Sequence, residues 1–117
     1  MMNKKKISAF LNAGKSIDDF IAYATTTNLR KSEYNLSESG INSFGYQLMG
    51  ENKTADALKV FKMNTELYPE GYNTFDSYGE CLVKLGKLEE GITAYKKSLE
   101  LNPKNDNATR VLGELAK

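Results

Sequence analysis

"ESGINSFGYQLMGENKTADALKVFKMNTELYPE", residues 38–70, falls without a gap onto "YNTFDSYGECLVKLGKLEEGITAYKKSLELNPK", residues 72–104, when each position of the first stretch is paired with its counterpart in the second. Ser43/Ser77, Gly45/Gly79, Leu48/Leu82, Lys53/Lys87, Leu67/Leu101 and Pro69/Pro103 are identical pairs. Ile41/Phe75, Phe44/Tyr78, Ala57/Gly91, Leu58/Ile92 and Phe61/Tyr95 keep size or character. A third copy begins in "NATRVLGELAK", where the same offset sets Leu112 and Gly113 beside Tyr78 and Gly79. Repetition at this period marks a solenoid, in which each unit buries its apolar face against its neighbour.

Within a unit the spacing is helical. Phe75, Tyr78, Gly79 and Leu82 fall at i, i+3, i+4 and i+7, one stripe of an α-helix. Leu88, Ile92, Tyr95 and Leu99 make a second stripe beyond "KLGK", where Gly86 is placed to stop a helix, and Pro103 lies just past the second helix. Each unit therefore reads as helix, tight turn, helix and proline-marked break.

These residues resemble the tetratricopeptide repeat. Its pattern is met by Ile41, Phe44-Gly45, Ala57, Phe61 and Pro69, and again by Phe75, Tyr78-Gly79, Gly91, Tyr95 and Pro103. Ile41 and Phe75 stand where tryptophan is usual, Leu48 and Leu82 where tyrosine is, and Gly91 where alanine is. Gly45 and Gly79 should let paired helices approach closely, with Ala57 and Gly91 supplying the facing gap. The expected architecture is one all-α domain over residues 1–117, a solenoid of about seven helices: a degenerate helix pair at 1–36, units at 37–70 and 71–104, and a capping helix at 105–117. In the first segment Ser16 and Asp19 are spaced as a capping box, and Thr25 to Thr27 are poor helix formers that should fray its second helix. Two good units fall below the roughly three that make a stable array, so the weak pair and the last helix should both be needed for folding.

Sixteen basic against fifteen acidic residues leave a net charge of +1, which gives no global pull toward nucleic acid or anionic lipid. The basic start "MMNKKK" is followed by an apolar run too short for a signal peptide, and no stretch reaches the roughly 20 apolar residues that span a bilayer. A cytoplasmic protein is the expectation. One cysteine, Cys81, and no histidine argue against a disulfide framework and structural zinc.

The phrases "NSFGYQLM", "ALKVFKMNTELYP", "NTFDSYGECL" and "AYKKSLELNPKNDNA" are similar to a module that follows bacterial serine hydrolases of the β-lactamase or penicillin-binding type and some esterases. That resemblance implies an accessory helical domain and not the catalytic one. The chain contains neither Ser-x-x-Lys nor Gly-x-Ser-x-Gly, and without histidine it cannot assemble a Ser-His-Asp triad. "GKLEEG" lacks the spacing and the Lys-Ser/Thr ending of a phosphate loop. No catalytic residue, cofactor or metal is expected.

"NTFDSYGECL" crowds polar groups, yet Asp76 and Ser77 are adjacent and point about 100° apart on a helix, so they do not form a base and nucleophile. The spacing reads instead as Asn73 capping the helix with Asp76 as its acidic partner. Cys81 reads as an inert, partly buried thiol, and the aromatics as core. Function is then left to the inner face. There the pattern places Asn42, Tyr46 and Met49 from the first unit, Asn73, Asp76, Ser77, Glu80 and Lys84 from the second, and Arg110 and Glu114 from the last helix. Asp76 and Glu80 would repel a C-terminal carboxylate, so a polar or basic segment is the better ligand. The expected role is a non-catalytic interaction module that binds a peptide or neighbouring domain. The alternative is a structural or dimerising accessory to a serine hydrolase, and the chain itself would be a monomer or weak homodimer.

Overall fold

The computed structural model describes residues 3–117; Met1 and Met2, which open the basic N-terminal run, lie outside the described residues. Among the described residues there are seven helices: α1 (Ser8–Asn12), α2 (Ile17–Thr26), α3 (Glu38–Gly50), α4 (Thr54–Leu67), α5 (Tyr72–Lys84), α6 (Leu88–Leu101) and α7 (Asp106–Leu115). The starts of α3, α5 and α7, at Glu38, Tyr72 and Asp106, are evenly spaced, and Thr54 and Leu88 open α4 and α6 at the same interval, so the sequence period is also the period of the elements. The molecule is elongated, 46 × 28 × 20 Å.

The turns between paired helices repeat as well. After α5, Gly86 adopts φ +80°, the Gly86 N–H donates to the Val83 carbonyl (2.9 Å) and the Lys87 N–H to the Leu82 carbonyl (2.9 Å), which is a Schellman cap. After α3 the same cap is built on Asn52, at φ 63°, with Asn52 N–H to Met49 (3.0 Å) and Lys53 N–H to Leu48 (2.8 Å). Asparagine is the usual substitute for glycine in this left-handed conformation.

Each pair closes on a glycine. A Cβ on Gly45 would strike the Phe61 ring, within 2.6 Å of Cζ, and one on Gly79 would lie 2.9 Å from Cδ2 of Tyr95. Gly91 provides the facing space in the second unit: a Cβ there would meet Val83 Cγ2 at 2.7 Å. Phe61 and Tyr95 are accordingly buried, at 0% and 2% exposure.

The N-terminal segment is abbreviated. α1 has five residues and no side-chain cap, whereas α2 is capped by the expected box, Ser16 Oγ accepting from Asp19 N–H (3.0 Å) and Asp19 Oδ2 from Ser16 N–H (2.9 Å). At its far end the Thr25 and Thr26 hydroxyls turn back to the Ile21 and Ala22 carbonyls, and the helix stops there. A feature that sequence reading did not anticipate ties this segment down: Lys5 makes a parallel bridge with Tyr34, through Lys5 N–H to Glu33 O and Asn35 N–H to Lys5 O, both 2.8 Å. An aromatic chain runs inward from it, Phe10 to Phe20 at 5.8 Å between centroids and Phe20 to Phe44 at 5.5 Å. α2 rests on α4, with Lys59 Nζ 3.1 Å from Asp18 Oδ1.

At the other end α7 covers α6, and among the described residues nothing packs on its own glycine. Gly113 is exposed and a Cβ there would meet nothing within 4 Å. Gly113 and Gly45 make a paired test. Gly113→Ala should stabilise by about 1 kcal/mol through helix propensity alone. Gly45→Ala should instead destabilise by up to about 2 kcal/mol, because the overpacking penalty of about 1–3 kcal/mol offsets or exceeds the propensity gain of about 1 kcal/mol. Urea unfolding of the two variants checks this; equal effects would show that ring contact does not govern the helix pair.

Candidate functional site

The first helices of the units, α3, α5 and α7, are joined side by side by polar contacts. The Tyr46 hydroxyl on α3 donates to Glu80 Oε1 (2.9 Å) and Ser77 Oγ (3.2 Å) on α5. On α5, the Asp76 carboxylate accepts from Asn105 Nδ2 (2.8 Å) and from Asn107 Nδ2 (2.9 and 3.2 Å) at the start of α7. Arg110 continues the seam, donating to Asn107 Oδ1 (2.8 Å) and to Glu114 Oε1 (2.9 Å).

Of the residues expected on this face, Tyr46, Asn73, Glu80, Lys84, Arg110 and Glu114 are exposed. Met49 and Ser77 are buried, at 7% and 2% exposure, and serve packing and the Tyr46 contact. Asn42 lies on α3 half-buried, its Oδ1 covered and without a partner. Asp76 corrects the sequence reading twice. It is 8% exposed, so it presents little to a ligand, and it is not a capping partner: α5 begins at Tyr72 behind Gly71, which makes no side-chain cap, and Asn73 is already helical. The helix starts earlier than the cap reading required because its first residue holds the place of Glu38 in α3, and Asp76 is turned to α7 by two amide donors.

Asn105 and Asn107 were missed. Asn105 caps α7 by accepting from Ala108 N–H (3.3 Å), while its Nδ2 reaches both Asp76 and Ser98 Oγ (2.8 Å). Ser98 in turn donates to the Tyr72 carbonyl (2.8 Å), as Asn64 does to the Glu38 carbonyl (3.1 Å) one unit earlier. The repeat period would have found them, since it sets Asn105 just ahead of a helix start.

The chemistry of this face is recognition by hydroxyl, amide, carboxylate and cationic groups. Tyr46 is pushed up to about 12, by burial first and then by the Glu80 and Asp76 carboxylates against an opposing Ser77 contact. Cys81 is fully buried, donates its thiol to the Thr54 carbonyl (3.5 Å), and is pushed up to about 11 by burial and by Glu80. A neutral thiol of that kind is a poor nucleophile. Among the described residues no group of three or more Cys, Asp or Glu side chains converges to hold a metal ion, and no helix is long and apolar enough to cross a membrane.

Neither a protein-family model nor a curated protein sequence matches the chain. Among solved structures it is similar to "First TPR of Spaghetti (RPAP3) bound to HSP90 peptide SRMEEVD", with a TM-score of 0.66 and 22% identity over 93% of this chain and 83% of that one. The likeness shows the fold: an all-α, tetratricopeptide-like helical solenoid.

Two measurements follow from the seam. Asn105→Ala removes a cap worth about 1 kcal/mol and a buried donor worth about 1–3 kcal/mol, so denaturant unfolding should show a loss of about 2–4 kcal/mol. Stability should also fall at alkaline pH. Cys81 ionises in the unfolded chain near its ordinary 9.0 and in the folded one near about 11, so its contribution is complete below pH 9 and is lost as pH rises toward 11. The loss is on the order of 3 kcal/mol, and Cys81→Ala should remove that share of it, leaving the fall above pH 10 that the raised Tyr46, Tyr68, Tyr78 and Tyr95 hydroxyls cause.

Proposed function

We propose that the protein is a non-catalytic interaction module that holds an extended, polar or basic peptide segment along α3, α5 and α7. The observation that carries this reading is the Tyr46–Glu80 pair at the α3–α5 junction, with Asn73 and Lys84 exposed on α5 around it. Tyrosine, asparagine and carboxylate side chains exposed along one helical face offer a peptide backbone both donors and acceptors, and Glu80 prefers a cation over a C-terminal carboxylate. The solved structure of similar fold holds an HSP90 peptide, which supports peptide binding as the mode, while this chain's Glu80 favours a less acidic ligand than SRMEEVD.

A serine-hydrolase domain is the partner named by the sequence resemblance, and a structural or dimerising role beside such a domain is the second reading. It is favoured by Leu85 and Leu88, 38% and 50% exposed at the α5–α6 turn, an apolar tip that a folded neighbour would cover. A cytoplasmic location belongs to the first reading.

A peptide-array screen separates these. Binders should be enriched in Lys or Arg, and Glu80→Lys should weaken them about tenfold, equivalent to about 1.4 kcal/mol, while the melting temperature falls only by what losing the Tyr46–Glu80 hydrogen bond costs, which Tyr46→Phe measures separately. Asp76 is unsuitable as a probe because it is buried. Binders indifferent to both Glu80→Lys and Tyr46→Ala would overturn the groove, and loss of hydrolase-domain capture in Leu88→Glu alone would favour the second reading.

A further inference from the structure

We propose that a cleft on the flank of α3 away from α5 holds an acidic side chain of the same peptide segment whose basic residue meets Glu80. The ligand is then defined by an acid and a base at a fixed separation. This rests on the inner face being the peptide-binding surface of the proposed function, and it names the ligand that face takes. The cleft, about 460 Å³, is bordered by Lys4 and Lys6 of the extended N-terminal segment, by Asn35, and by Ser39, Ser43 and Gln47 of α3. Among the described residues no carboxylate lines it.

The repeat explains why this flank is open. One unit later Ser43 becomes Ser77, which is buried and accepts from the Tyr46 hydroxyl (3.2 Å) of the preceding first helix. On α3 the corresponding place is bordered by extended residues and by α1, only five residues long, so Ser39, Ser43 and Gln47 stay exposed. At about 100° per residue Ser39 lies about 20°, and Ser43 about 60°, from Tyr46 around the helix. The cleft therefore continues the inner face.

The three lysines of the N-terminal run differ in their partners. Lys5 is bound by the bridge to residues 33–35, and its ammonium pairs with Glu33 (3.1 Å). Lys4 donates to the Arg30 and Leu29 carbonyls (2.6 and 3.5 Å), which fixes its ammonium and leaves one of its three protons for a ligand. Lys6 is exposed and belongs to none of the ion pairs among the described residues. Glu51, which accepts from Gln47 (3.2 Å), is also paired with Lys53 (3.6 Å). Residues 1–36 carry six basic and three acidic side chains, against three and five in residues 37–70, so the excess of positive charge lies at this end of the face.

Two ammonium groups beside serine hydroxyls and side-chain amides suit a carboxylate, since hydrogen bonds to an ionised acceptor are the stronger ones. The cleft and Glu80 stand on either side of the exposed ridge of α3, about 10 Å apart, the width of one helix. An extended chain covers that distance in roughly three or four residues. With its acid in the cleft and its Lys or Arg at Glu80, the segment crosses Tyr46 between them.

Decapeptides with blocked termini, each bearing one Glu and one Lys separated by one to six positions in an otherwise uncharged sequence, test this by nuclear magnetic resonance titration of the full-length chain. Affinity should peak where the two are three or four residues apart, with amide shifts at Lys6, Ser39 and Ser43 as well as at Tyr46 and Glu80. Lys6→Glu should weaken the best peptide about tenfold, leave a peptide with Gln in place of its Glu unchanged, and regain binding when that Glu is replaced by Lys. Ser43→Asp, on the α3 wall, should act in the same direction as Lys6→Glu. Equal affinity at every separation, or indifference to Lys6→Glu while Glu80→Lys still weakens binding, overturns the acidic subsite and leaves the peptide-binding reading standing. Shifts at neither Lys6 nor Glu80 overturn both. A peptide without Glu but with a free C-terminus that binds as tightly assigns the cleft to a chain end, which also overturns the proposal.

Discussion

Everything in this solenoid is set by a ring lying where a Cβ would be. Phe61 against Gly45 and Tyr95 against Gly79 fix how near the two helices of a unit come, and the approach fixes which side chains turn inward. A larger residue at either glycine would push the helices apart, and the change would pass to the next unit because each second helix is the floor for the following first helix. Thus one missing methyl group per unit determines the inner polar face. The even spacing of the helix starts is the visible result.

The two halves are held by different forces. From α1 to α4 the interior is mainly aromatic and aliphatic, running from Phe10 through Phe20 and Phe44 to Phe61, with Asn64 as a buried polar group that donates to the Glu38 carbonyl. Around α5 to α7 the buried groups include Thr74, Asp76, Ser77, Ser98 and Asn105, linked by directed hydrogen bonds. Apolar burial tolerates small displacements, whereas a buried carboxylate with two amide donors specifies one arrangement and is costly when a donor is lost. The degenerate N-terminal pair therefore adds bulk stability, and the last helix is placed by geometry.

The fold was legible because its signals are local and repeated: aromatic, glycine and proline at fixed offsets, with Gly86 marking a turn. The equivalent turn at Asn52 was less visible, since asparagine adopts the left-handed region without advertising it as glycine does. The face of polar residues was legible by helical phase, but its internal bonding was not. Asp76 finds its partners 29 and 31 residues away, and a reading confined to "NTFDSYGECL" assigned it to the nearest plausible cap. The Lys5–Tyr34 bridge escaped for the same reason: nothing in either tripeptide signals a strand, and only the packing of α1 and α2 brings them together.

Gly113 gives the molecule a direction. It holds the place of Gly45 and Gly79 behind Leu112, but Thr109 and Ala116 stand where the first helices carry large apolar residues, and among the described residues the hydrogen at its Cα faces open space. Helix propensity is sacrificed there without any packing in return. A methyl group at Gly113 would firm that end through helix propensity alone, whereas the same atom at Gly45 or Gly79 would meet a ring, so one missing atom has opposite consequences along the array.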